Sequence, residues 1–273
     1  MIEIRTATQI REGVKQSTKW WINERKKKLL NELTATMTIN PFMAPFLYQF
    51  HDLKNFGDIL DLLISSHLMI GHSTGFGKLV DEKILPNVFG THKLDKKNRA
   101  GTLHFLESHF NEIDHVILRP DGSKELLSLK AGRWTIQLTM AMQLNRSFNE
   151  IVNCYGTDYK GIVVGVFYGH ADTLTDKYDI LRGINRGANH DVIDLTKHVS
   201  VYAGRAFWDW LSGVPNTQDL VLGGIIDALR EDSIRSESGG LLAGFKQAVG
   251  RAYDMDVANT TPDWNDLLNK INS

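Results

Sequence analysis

Cysteine is almost missing from this chain. Cys154 is the only one in 273 residues, so no disulfide can close within it, and the expectation is a fold held by its core in a reducing compartment such as the cytoplasm. Long apolar runs are missing too. No stretch reaches the roughly 18 uncharged residues of a membrane span, and the polar, charged opening residues lack the apolar segment of a secretory signal. Net charge is nearly absent: 31 Lys and Arg stand against 32 Asp and Glu. Overall charge therefore does not announce a partner. There is no internal repeat and no low-complexity tract. His104, His109 and His115 lack the spacing and the cysteine partners of a zinc site, which leaves them as surface or nucleic-acid-facing histidines. The glycine-rich stretch Gly71–Gly77 followed by Lys78 is not a phosphate loop, because His72 stands where the first glycine belongs and Leu79 replaces the hydroxyl residue.

What is present is unevenly distributed. Residues 1–30 carry eight basic and three acidic residues, whereas residues 209–273 carry five and ten. A basic front and an acidic tail suit a protein that turns one side to a polyanion, and suit ordinary solvated helices equally well. Residues 8–36 read as helix, with Trp20, Trp21, Leu29 and Leu30 apolar and Arg25–Lys28 basic. The prolines Pro41 and Pro45 among apolar residues of 39–48 suggest a buried connector. Residues 57–70 are expected to be helical. Gly71–Gly77 should then form a loop, and a helix over Lys78–Leu85 should stop at Pro86. That helix presents Asp81 and Glu82 on the flanks of an apolar stripe. Lys96, Lys97 and Arg99 fall in a segment with few apolar residues, read as an exposed basic loop. Further helices are expected at 135–152, 205–212, 219–231, 241–254 and 263–271, with strands at 162–168 and 199–203. Phe207, Trp208, Trp210 and Leu211 could be core or a dimer interface.

The chain is organised around residues 111–137. Two apolar runs flank Pro120-Asp121-Gly122, a strong hairpin signal. Folding at Asp121-Gly122 brings Asp114 within about one residue of Lys130, and opposed residues on one face lie roughly 5 Å apart. A carboxylate and an amine are thereby held together ahead of a helix with apolar residues at 136, 140, 144, 148 and 151. Without further information this pair could equally be a salt bridge across a hairpin, worth little.

Strand with Asp, turn, strand ending in Lys, then helix resembles the core of the PD-(D/E)XK nucleases. The similarity extends to Ile39-Asn40-Pro41-Phe42, to residues 71–79, to Leu127-Ser128-Leu129-Lys130-Ala131-Gly132, to residues 164–169 and to Leu181-Arg182-Gly183-Ile184-Asn185. In order, from about residue 19 to near the end, these are similar to the Type II restriction endonucleases that cut RGGNCCY. The resemblance implies an α/β fold: a restriction-endonuclease-like core with a central mixed sheet flanked by helices, plus helical N- and C-terminal additions. It implies a single domain over 1–273, with the catalytic core at about 72–205 and the additions at 1–71 and 206–273. It implies a homodimer that cuts double-stranded DNA with Mg²⁺. Asp114 would be the metal ligand, the Leu129 carbonyl a further ligand, and Lys130 the group that positions water or stabilises charge.

One position departs from that pattern. The residue two before Lys130 is Ser128, where the superfamily has Asp or Glu. Either Ser128 acts through water or another acid takes over. Glu82 is the first candidate, since the helix before the first core strand of this nuclease fold often sends a carboxylate to the metals. Glu125, at odd spacing from Lys130, points to the other strand face. Between residues 179 and 191 the glycines are interleaved with Arg182, Asn185, Arg186 and Asn189, side chains shaped to read guanine and adenine edges. Lys96, Lys97 and Arg99 are expected to contact phosphate. The competing readings are a structure-specific repair or recombination nuclease and a dimeric DNA-binding regulator without catalysis.

Overall fold

The computed structural model describes residues 5–36, 39–133, 135–187, 189–231, 233–252, 254, 256–257 and 261–272. Within helices, the side chains of residues 28–36, 67–68, 70, 72–73, 233–239, 241–242 and 271–272 lie outside that description, which includes Lys28, Leu29, Leu30 and His72 named above.

In chain order the elements are α1 (Ala7–Thr36), α2 (Met43–Phe50), α3 (Phe56–Leu79), a π-helical turn (Val80–Ile84), α4 (Leu85–Phe89), β1 (His92–Lys93), α5 (Lys96–Arg99), two 3₁₀ turns at Leu103–Leu106 and Ser108–Glu112, β2 (His115–Leu118), β3 (Lys124–Lys130), α6 (Leu138–Tyr155), β4 (Gly161–Val166), a 3₁₀ turn at Ala171–Thr173, α7 (Lys177–Ile180), β5 (Val199–Ala203), α8 (Arg205–Ser212), α9 (Thr217–Leu229), α10 (Ser233–Ala252) and α11 (Trp264–Asn272). The class is α/β, a five-stranded mixed sheet flanked by helices. Contacts divide the chain into two compact units, Met1–Ser17 with Gly77–Ile226 and Thr18–Phe76 with Asp227–Ser273.

The first unit holds the sheet, in the order β1-β2-β3-β4-β5. β1, β2 and β3 pair antiparallel, whereas β3, β4 and β5 run parallel. The change of sense follows from the connections. A three-residue loop can only reverse the chain, but a parallel neighbour needs a crossover, and α6 supplies it between β3 and β4. Alternation along the strands puts Val116, Leu126, Ile162, Val164 and Val166 on one face, in one core with Ala141, Leu144, Phe148 and Ile151 of α6. Spacings of three, four and three residues explain why α6 is amphipathic. On the other face the Phe207 ring of α8 lies over Gly165, where a Cβ would come within 2.3 Å of the ring and 3.0 Å of Leu127. The Trp208 indole N–H donates to the Phe167 carbonyl at 2.9 Å. Phe207, Trp208 and Leu211 are buried in the core, and Trp210 is half-buried.

The second unit is helical. Ile39, Ala44, Phe56, Ile59, Leu60 and Ile64 share a core with Phe245, Val249 and Leu267, and the Lys246 ammonium meets the Asp61 carboxylate at 2.6 Å. Residues 39–48 are not a buried connector. Ile39 and Ala44 are buried, but Phe42, Met43, Phe46 and Phe50 are exposed along α2.

Two expectations about residues 71–86 are corrected. The glycine stretch is helical within α3, because its glycines serve close packing: a Cβ on Gly75 would lie 3.1 Å from the Trp21 indole and one on Gly71 2.5 Å from the Arg25 guanidinium. Pro86 does not stop a helix. It sits in the first turn of α4, where its missing N–H is harmless, and α4 ends instead at left-handed Gly90.

Gly165 gives a direct test of the sheet–α8 packing. Gly165→Ala is expected to lower stability by about 1–3 kcal/mol, the usual effect of overfilling a packed site, measured as a shift in the urea denaturation midpoint. An unchanged midpoint would mean that Phe207 has room to move aside.

Candidate active site

The β2–β3 hairpin sets the geometry. Its loop is Pro120-Asp121-Gly122: the Arg119 N–H donates to the Ser123 carbonyl at 2.8 Å and the Gly122 N–H to the Arg119 carbonyl at 2.9 Å. Gly122 is left-handed at φ +82°. The Asp121 carboxylate accepts from the Ser123 N–H and hydroxyl at 2.9 and 2.6 Å. A three-residue loop moves the register by one from that of a two-residue turn. His115 pairs with Leu127, and just before β2 the Asp114 carboxylate reaches the Leu129 N–H, the residue before Lys130. Folding at the Asp121-Gly122 turn predicts Asp114 within about one residue of Lys130, and this bond sets its carboxylate beside that strand end.

Asp114 is fixed by its own backbone. Its N–H donates to the Leu127 carbonyl and its carbonyl accepts from the Leu94 N–H, both at 2.8 Å. Its carboxylate accepts from the Leu129 N–H at 2.6 Å. Burial pushes the Asp114 carboxyl up, opposed by the Leu129 N–H and the nearby Lys130 ammonium; Asp81 adds to the rise and His115 counters it. Ser128 is fully buried, and its hydroxyl accepts from the Lys130 ammonium at 3.3 Å. Asp114, Ser128, Leu129 and Lys130 thus form one constellation at the end of two strands.

Behind it lies a network that the sequence reading missed. His115 is fully buried; it is neither a surface nor a nucleic-acid-facing residue. Its Nδ1 meets the Thr91 hydroxyl at 2.9 Å and its Nε2 the Asp81 carboxylate at 2.8 Å. Lys93 of β1 donates to the other Asp81 oxygen. For Asp81, burial is the largest single influence and pushes the carboxyl up, but the hydrogen bonds and charges of His115 and Lys93 outweigh it and hold the group below its ordinary value. Glu82 is exposed and stands 3.9 Å from Lys93. Of these two acids it is therefore Asp81, not Glu82, that bears on Asp114. Glu125 faces away from Ser128 and Lys130 and pairs with Arg119, whose guanidinium lies 4.6 Å from the Trp210 ring centroid.

Among the residues expected to contact DNA, Lys96 and Lys97 are exposed on α5, which Asp95 caps through the Asn98 N–H at 2.8 Å. Arg99 is a correction. Its guanidinium donates to the carbonyls of Leu94, Phe105, Phe110 and Ile113 at 2.7, 3.3, 2.8 and 2.7 Å. It braces the segment leading into Asp114 rather than facing a ligand. His104 is likewise engaged, with Tyr159 at 2.8 Å and against the Tyr155 ring at 4.8 Å. Arg182 is half-buried, its Nε donating to the Val199 carbonyl at 3.1 Å. Asn185 bonds to His190, whereas Arg186 and Asn189 are exposed.

Among the described residues no three His, Cys, Asp or Glu side chains form a metal cluster. The donor set at Asp114 nevertheless fits Mg²⁺, which binds through one or two carboxylates and fills its remaining positions with water and substrate oxygens. The half-buried Asp114 carboxylate, pushed up by desolvation, is when ionised a hard anionic ligand of the kind such a cation takes. The chain matches no family model and no curated protein sequence.

The opposed shifts of the two aspartates give a stability test. A raised carboxyl makes ionisation costly to the folded state at neutral pH. That cost is full above the folded pKa and fades as pH falls through it towards the unfolded value of about 3.9. Asp114→Asn, which keeps an acceptor for the Leu129 N–H, is therefore expected to melt at or above the wild-type temperature at pH 7, with the advantage vanishing near pH 4. Asp81→Asn should behave oppositely. A depressed carboxyl stabilises the fold above the unfolded pKa and loses that effect only in stronger acid, so this variant melts lower at pH 7. Thermal melts of both variants at pH 4 and 7 decide it; a destabilised Asp114→Asn at pH 7 contradicts the reading.

Proposed function

We propose that this chain is a Mg²⁺-dependent, sequence-specific endonuclease that cuts both strands of duplex DNA at a palindromic site such as RGGNCCY, with a restriction-endonuclease-like core. The observation that carries the reading is the Asp114 carboxylate bonded to the Leu129 N–H at 2.6 Å and within the influence of the Lys130 ammonium, which itself meets the Ser128 hydroxyl at 3.3 Å. Phosphodiester hydrolysis needs a nucleophile brought to an anionic centre and an expelled oxygen stabilised. Bound Mg²⁺ would supply charge neutralisation and a more acidic water. Asp114 would hold it, with the Leu129 carbonyl beside it. Lys130 would position the attacking water by its ammonium protons, or hold a phosphate oxygen, while its bond to the Ser128 hydroxyl limits where the ammonium can sit.

Asp81 joins Glu82 as an acid of the site in this reading. Already bonded to His115 and Lys93, it adds negative charge close to Asp114 and thereby favours a cation there. Glu82 is the next acid in reach of Lys93. Lys96 and Lys97 would meet phosphates, which supply affinity without sequence information. Two scissile phosphates related by the two-fold axis of a palindrome call for one active site each, which a homodimer provides.

Digesting a plasmid of known sequence with Mg²⁺ and sequencing the ends tests the proposal. Discrete fragments with a common terminal sequence are expected. Asp114→Asn and Lys130→Ala should each lose about 10²-fold or more in cleavage rate, as when other transition-state contacts are removed, while Glu125→Gln cuts near the wild-type rate. Heterogeneous ends, or cutting only at unpaired or branched DNA, would replace sequence specificity with structure specificity. DNA binding without cutting would leave a regulator.

A further inference from the structure

The segment between α7 and β5 has the construction of a fixed reading head. Asn145 of α6 is fully buried. Its amide nitrogen donates to the carbonyls of Leu181 and Ile193 at 3.2 and 2.8 Å, and its oxygen accepts from the Ile193 N–H at 2.9 Å. One side chain therefore fastens both limbs of the loop to a core helix. The limbs touch directly above it. Gly183 is left-handed at φ +86°, and a Cβ there would lie 2.0 Å from the Ile193 carbonyl oxygen, so no other residue fits that crossing. The Leu195 N–H donates to the Arg182 carbonyl at 2.9 Å. Further out, Asn185 and His190 exchange two bonds: the Asn185 amide donates to the His190 carbonyl at 3.1 Å and accepts from its N–H at 3.2 Å.

These contacts divide the four polar residues that the sequence singled out. Arg182 and Asn185 hold the loop in shape. Arg186 and Asn189 project from it, and Arg186 is itself oriented: its Nε meets the Asp179 carboxylate at 2.6 Å, with Asp179 mostly covered and Arg186 70% exposed. An end-on contact to the O6 and N7 of guanine uses the terminal nitrogens of an arginine, and adenine is read by the two ends of an asparagine amide. A reader whose rotamer is already restricted loses less on binding.

We infer that Arg186 and Asn189 are the base readers of this loop, that Arg182 and Asn185 are not, and that Asn145 and Asp179 are positioning residues for base recognition. The inference rests on the DNA-cutting reading above, and its test separates the two. Binding of the full chain to cognate and single-mismatch duplexes is measured without divalent metal. Arg186→Ala is expected to weaken cognate binding about 5- to 160-fold, the range for a base-reading arginine, with no further loss on duplexes already altered at its own base pair. Asp179→Ala should weaken the same base pair less, and the double variant should be no worse than Arg186→Ala. Asn145→Ala should lower the ratio of cognate to mismatch affinity while leaving non-specific, salt-dependent binding unchanged. Equal losses across all duplexes for Arg186→Ala, or additive losses for the Asp179 and Arg186 changes, would overturn the assignment. Should Asn145→Ala fail to fold, the Asp179–Arg186 cycle carries the test by itself. A wild-type chain that neither binds nor cuts DNA overturns the nuclease proposal instead.

Discussion

The register of the β2–β3 hairpin is the constraint on which the site depends. Side chains alternate along a strand, so a slip of one residue would turn Lys130 to the other face and move the Leu129 N–H away from the Asp114 carboxylate. The register is held by a three-residue loop with left-handed Gly122 at its tip, by Asp121 bonding to Ser123, and by Val116 and Leu126, which must reach the α6 core. Local turn chemistry and the distant core thus specify the same pairing, and agreement between levels is what defines a single native arrangement.

Around that hairpin the charges are arranged with different degrees of compensation. Asp81 is met by two cationic or hydrogen-bonding partners and sits low. Asp114 is half-buried, with one N–H and the Lys130 ammonium as its stabilising partners, and sits high. Arg99, inside the same region, gives its donors to backbone carbonyls, and its burial lowers its pKa against the pull of Asp114. Asp81 and Arg99 are thus compensated by their neighbours, whereas Asp114 keeps the larger share of its desolvation.

Much of the fold was legible in residue pattern. The long first helix, the strand at 199–203 and the amphipathic helix after Lys130 follow from periodicity, because their buried faces are regular. The glycine stretch of α3 was not legible, since glycine for close approach and glycine for a turn look the same in sequence. Nor was β1, whose two residues carry no periodic signal yet place Lys93 against Asp81. At the site, Asp114 and Lys130 were visible because a hairpin signal ties them together. Asp81 reads as a flanking acid, but its bonds to His115 and Lys93 span 34 and 12 residues of chain, beyond any local pattern. His115 and Asn145 gave no signal at all: each is defined by partners at least 24 residues away in the chain.

The hydroxyl of Tyr178, buried in α7, donates to the carbonyl of Gly132 at 2.8 Å. Gly132 follows Lys130 by two residues, and Tyr178 precedes Leu181, the foot of the loop, by three. That single bond ties the loop and the strand end into one frame, and the shared core of Tyr178, Leu181, Val166 and Ile136 stiffens it. Under the proposed DNA-cutting reading, the Lys130 ammonium and this loop would meet the duplex as parts of that one frame.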